Sequence, residues 1–178
     1  MNLYVSTYIL AAVFAVAAFA LFARPDAAKK YSMRFLRSKT ASYVTFGAAT
    51  LWFVYLLSQL GEADFGDIKA LLIVLFGGAG LLAFKYLPDF LSVRGAAIIA
   101  LLACRAFIDS AFMQEPPSRL LLVSVSYLIV VFALYIGTLP YRMRDILEWI
   151  FASGRRTKAC AAIFAAIFAS LICASLMY

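Results

Sequence analysis

Apolar residues run through this chain in six long blocks, 3–23, 40–60, 68–87, 93–113, 120–139 and 159–177, parted by short segments that hold most of the charge. Each block is about 20 residues, the length of α-helix that crosses roughly 30 Å of hydrocarbon. A shorter pattern follows the fifth block. Across Tyr141–Phe151, Met143, Ile146, Leu147, Ile150 and Phe151 recur at helical spacing opposite Arg142, Arg144, Asp145 and Glu148. That spacing predicts an amphipathic helix resting on the membrane, with Trp149 at head-group depth; docking of a partner on its charged face is the functional alternative. Together the patterns predict an all-α integral membrane protein, a six-transmembrane-helix bundle with a short interfacial helix between spans 5 and 6. No internal repeat is evident and no linker is long enough to separate domains, so residues 1–178 read as a single membrane domain.

Composition strengthens that reading. The chain is 66% hydrophobic and 14% charged, against roughly 45–50% and 25% for globular chains. Its net charge of +7 does not point to nucleic acid, because the Lys and Arg lie between apolar blocks and form no continuous basic face. They sort by position instead. Arg24, Lys29, Lys30, Arg34, Arg37 and Lys39 follow span 1, Lys85 and Arg94 flank the turn after span 3, and Arg142, Arg144, Arg155, Arg156 and Lys158 follow span 5. Only Lys69, Arg105 and Arg119 of the 16 fall elsewhere. Lys and Arg beside a span are retained in the cytoplasm, which predicts both termini outside it and a location in the bacterial inner (cytoplasmic) membrane. Ala18-Phe19-Ala20 resembles a cleavage site, but basic residues follow the first span and none precedes it. That asymmetry favours an uncleaved anchor. The basic segment Arg24–Lys39 is also a candidate contact for anionic lipid.

Small residues suggest where helices meet. Gly77-Gly78-Ala79-Gly80 in span 3 predicts close helix contact, with a broken transport helix as the alternative. In span 6, Ala161, Ala165, Ala169 and Cys173 recur every fourth residue, as do Ala162, Ala166, Ser170 and Ala174; both stripes are expected to pack on neighbours. Pro88 is expected to stop span 3 and Pro140 to close span 5. Ser124, Ser126 and Tyr127 are candidate interhelical donors, unless the serines bond back to their own helix.

Candidate chemistry is sparse. Histidine is absent, so bis-histidine haem ligation, histidine-ligated zinc and Ser-His-Asp hydrolysis have no ligands or base here. Cys104, Cys160 and Cys173 lie in apolar blocks and read as buried free thiols. Glu62, Asp64 and Asp67 lack the spacing of a calcium loop. No Gly-x-Gly-Asp protease motif, Asn-Asp-x-x-Asp motif or Walker sequence is present, so an enzyme is not expected, nor a cofactor or metal. What remains is Arg105 and Asp109 within span 4. They share a helical face, with Arg105 about 18 Å from Val93 at ~1.5 Å per residue. Ionisable groups in hydrocarbon usually turn into the bundle and pair, and this pair is expected inside, either fixing helix packing or, as the functional alternative, lining an outer-facing cavity.

The leading functional expectation is therefore a non-enzymatic structural or accessory subunit of a membrane assembly. A small transporter or channel using the Arg105/Asp109 pair is the alternative. Expected partners are the lipid bilayer and either other membrane subunits or further copies of the chain. The charge distribution makes the topology testable. Reporter fusions after Lys30, Asp89 and Arg156 are expected to report cytoplasm, and fusions after Asp64, Pro117 and Tyr178 the opposite side; one reversed internal loop ends the six-span arrangement.

Overall fold

A computed structural model describes residues 2–61, 68–87 and 89–178. Among them are eight α-helices and no strand: α1 Leu3–Ala23, α2 Pro25–Leu36, α3 Lys39–Ser58, α4 Lys69–Tyr86, α5 Leu91–Ala111, α6 Arg119–Thr138, α7 Tyr141–Phe151 and α8 Gly154–Ser175. Six of these, all but α2 and α7, are long and apolar enough to cross a membrane. Their outward surface is apolar, with Leu71, Val74, Leu81, Leu128 and Val131 exposed, as a lipid-solvated bundle requires. The acidic stretch holding Glu62, Asp64 and Asp67 lies outside the described residues, as does Pro88, the expected stop of the third span.

α5 is the helix the others share: it packs on α6 and α3, and also on α1 and α2. α1 pairs with α8, and α4 rests on α3. Two apolar clusters occupy opposite ends. Leu3, Leu10, Phe107, Leu122 and Leu171 meet at the end that carries both chain termini. There the Tyr4 hydroxyl donates to the Tyr178 carbonyl at 2.9 Å, and Thr7 and Tyr178 hydroxyls lie 2.9 Å apart. Leu36, Val93, Ala97, Ile136 and Leu147 meet at the other end, where α2 and α7 touch.

α2 lies in the segment that the hydropathy pattern presents only as a basic stretch. Pro25 at its first position and Asp26 in its first turn suit a helix N-terminus, and Arg34 suits the last turn. Met33 and Leu36, one turn apart, join the same cluster as Met143, Leu147 and Phe151 of α7. The apolar face of α7 therefore packs in part on α2, with Leu147 buried. Its charged face is neutralised internally. Arg142 and Arg144 lie 3.7 and 3.6 Å from Asp145, and Arg144 lies 3.6 Å from Glu148.

Close approach occurs at glycines, but not at all of them. A Cβ on Gly95 would lie 2.7 Å from the Phe46 Cα, so α3 and α5 touch backbone to backbone there. In the α4 glycine run, Gly80 faces Thr50, whereas Gly78 has open space. The expected small-residue packing of α8 is mostly overturned. Ala161 and Ala174 are buried, but Ala162, Ala165, Ala166, Ala169 and Cys173 are exposed. α8 instead turns its larger side chains inward, with Phe164 edge-on to Phe14 at 5.7 Å, Leu171 fully buried, and Ile167 and Phe168 against the terminal cluster. In lipid, helices are held by van der Waals contact, and these side chains supply more of it per turn than alanine does.

Thermal unfolding in detergent tests this assignment. Leu171→Ala is expected to cost about 2–5 kcal/mol and Gly95→Ala about 1–3 kcal/mol from overpacking. Gly78→Ala and Ala165→Leu are expected to leave stability unchanged or slightly raised. Equal tolerance at all four positions would contradict the packing described.

Candidate functional site

Arg105 and Asp109 stand one turn apart near the C-terminal end of α5. That helix ends at Ala111, so at ~1.5 Å per residue Asp109 lies roughly 3 Å and Arg105 roughly 9 Å short of the end. The Arg105 Nε is 3.7 Å from Asp109 Oδ2, with 62% and 68% of the two side chains exposed. The expected pairing is present. The expected burial is not: the pair sits on the outside of the bundle, and corrects the placement inside it. The reason is visible around α5. Cys104, Phe107 and Ala111 are buried, because the opposite side of the same turns faces α1 and α6. A separation of 3.7 Å is an ion pair and too long for a hydrogen bond. The contact to Asp109 therefore leaves the guanidinium N–H donors available to another group.

The pair continues a stripe. Ile98, Leu102, Arg105 and Asp109 follow one another at spacings of four, three and four residues, the repeat that keeps side chains on one helix face. None of them is buried. Toward the other end of α5 the stripe enters an apolar groove of about 240 Å³ between α3, α5 and α6, lined by Phe46, Arg94, Ile98, Leu101 and Leu134. Arg94 stands at this groove, and its Nε is buried without a hydrogen-bond partner. A cation with an unused donor, an apolar trough and an exposed ion pair thus occupy one side of one helix. Chemically, this face offers apolar contact and charges of both signs to whatever covers it.

The remaining sequence candidates separate cleanly. Cys104 is buried, but Cys160 is half-buried and Cys173 exposed, so only one matches the expectation of a buried thiol. The Ser126 hydroxyl donates to the Leu122 carbonyl of its own helix at 2.8 Å, the local bond, while Ser124 and Tyr127 are exposed. No cluster of metal-ligating side chains occurs among the described residues.

Several polar side chains that hydropathy passes over tie helix ends together. The Arg119 Nη1 donates to the Ala111 carbonyl at 2.9 Å, and the Lys69 Nζ to the Leu60 carbonyl at 3.3 Å. These are two of the three cations that break the charge sorting, and each serves the carbonyl end of a helix, where positive charge is favoured. Ser92, fully buried, donates to the Phe35 and Leu36 carbonyls at 2.8 and 3.3 Å, and its own carbonyl accepts from the Thr45 hydroxyl at 3.2 Å. Thr157 closes α7 by donating to the Ile150 carbonyl at 2.9 Å. The misplaced cations were a usable signal for Lys69 and Arg119. Ser92 and Thr157 had none, because their acceptors are distant in sequence or beyond a turn.

Comparison of the chain with protein-family models, with curated proteins and with solved structures finds no match, so its function is argued from the site alone.

Proposed function

We propose that this chain is a non-enzymatic structural or accessory subunit of a membrane assembly, docking another membrane helix along the exposed face of α5. The observation that carries the reading is the Arg105–Asp109 pair, paired at 3.7 Å yet more than half exposed on a helix that is otherwise the most buried of the six. Charge facing lipid is unfavourable. A partner helix relieves this by covering the pair and by accepting the unused donors of Arg105. The membrane is bacterial and cytoplasmic in this reading, with α2 and α7 at its inner surface and both termini outside, following the distribution of Lys and Arg. Transport by the pair has less support, since side chains turned outward line no path between the helices of a single copy.

The pair can be removed without touching the core, which makes the reading testable. Arg105→Leu/Asp109→Leu is expected to unfold like the wild type in detergent, within about 1 kcal/mol as for an exposed ion pair, while losing its assembly partner on purification in mild detergent. Each single variant is expected to reduce membrane yield more than the double, because it leaves a lone charge. Additive single losses would show that the residues do not act together. A double variant that retains the wild-type assembly would end the proposal.

A further inference from the structure

The end of the bundle that carries α2 and α7 holds a feature that helix docking on α5 does not use. Two adjoining cavities of about 430 and 150 Å³ open where the α2–α3 turn meets the α4–α5 turn, and Lys39 and Ser42 line both. The larger is charged, lined by Arg37, Lys39 and Asp89. The smaller is walled by Tyr43, Phe84 and Leu91, with the Tyr43 and Phe84 rings stacked at 5.1 Å. Among the described residues, none of Arg37, Lys39 and Asp89 belongs to an ion pair, whereas the charges of α7 neutralise one another. α3 also begins here, with the Ser38 side chain accepting the Ala41 N–H at 3.2 Å, so the positive end of its dipole adds to the two cations.

We infer that the two cavities form a binding site for one glycerophospholipid. Arg37 and Lys39 take the phosphodiester, Asp89 takes an ammonium on the head group, and the start of an acyl chain lies along Tyr43, Phe84 and Leu91. Charges of both signs that line one cavity without pairing suit a zwitterion, which satisfies each of them. A purely anionic head group leaves Asp89 facing like charge. A free phosphate leaves the apolar half unfilled, and burial of acyl methylenes is what distinguishes a retained lipid from an ion. The site does not depend on whether α5 docks a partner.

Native mass spectrometry of the full chain tests it, after purification in mild detergent and titration with phosphatidylethanolamine, phosphatidylglycerol or inorganic phosphate. One phosphatidylethanolamine is expected per chain. Its retention is expected to fall about tenfold or more in Arg37→Gln/Lys39→Gln and to stay unchanged in Lys29→Gln/Lys30→Gln, which loses the same charge on α2. Asp89→Asn is expected to erase the preference for phosphatidylethanolamine over phosphatidylglycerol while leaving the latter bound. All five side chains are exposed, so thermal unfolding recorded alongside is expected to be unchanged, and a loss of retention in a normally folding variant is then a loss of binding. Equal losses in the two double variants would reduce the site to diffuse surface charge. Tighter retention of phosphatidylglycerol by the wild type would overturn the role of Asp89, and inorganic phosphate bound in place of either lipid would overturn the lipid assignment.

Discussion

A helix leaves its last carbonyls without partners in its own backbone, and this bundle supplies several of them with side chains borrowed from other elements. Arg119 serves the end of α5, Lys69 the end of α3, Ser92 the end of α2 and Thr157 the end of α7. Each bond also fixes geometry. Ser92 reaches back across more than 50 residues to α2 and receives Thr45 from α3, so the base of α5 is pinned to two neighbours at once. Arg119, from the start of α6, holds the top of α5 in the same way. The helix shared by the rest is thus anchored at both ends by hydrogen bonds to its neighbours.

Between those anchors, packing decides the rest. The backbone contact at Gly95 draws α3 against the first half of α5, while Phe107 and Ala111 in its second half turn toward α1, α6 and α8. One side of α5 is left partly open between α3 and α6. It carries the ion pair near one end and the groove with Arg94 near the other. Because that face is left open by the way α3 and α6 are placed, the Arg105–Asp109 pair is accessible without any rearrangement of the core.

The two ends of the molecule differ in character. At one end, the tyrosine and threonine contacts join the first and last helices. At the other, α2 and α7 lay amphipathic surfaces against each other and leave Lys, Arg and a few acidic groups outward. Ion pairs on α7 leave little net charge on that helix, whereas Arg37 and Lys39 at the start of α3 form no ion pair among the described residues. That contrast is why the lipid site is assigned to the α2–α3 turn and not to the whole basic surface.

Hydrophobic block length alone determined the six long helices, because a run of about 20 apolar residues in lipid has few alternatives to a helix, and the boundaries 3–23 coincide with α1; the amphipathic spacing over 141–151 coincides with α7. The spacing of Arg105 and Asp109 likewise made it possible for them to pair, as they do at 3.7 Å. What the chain could not show by itself was direction. Periodicity places residues on one face of a helix but does not say which neighbour, or none, that face meets. Only the tertiary arrangement put the ion pair outside, turned Phe164 and Leu171 of α8 inward in place of the alanine stripes, and laid α7 on α2. The same holds for Ser92 and the cavities around Lys39, whose partners are separated by tens of residues and come together through helix packing alone.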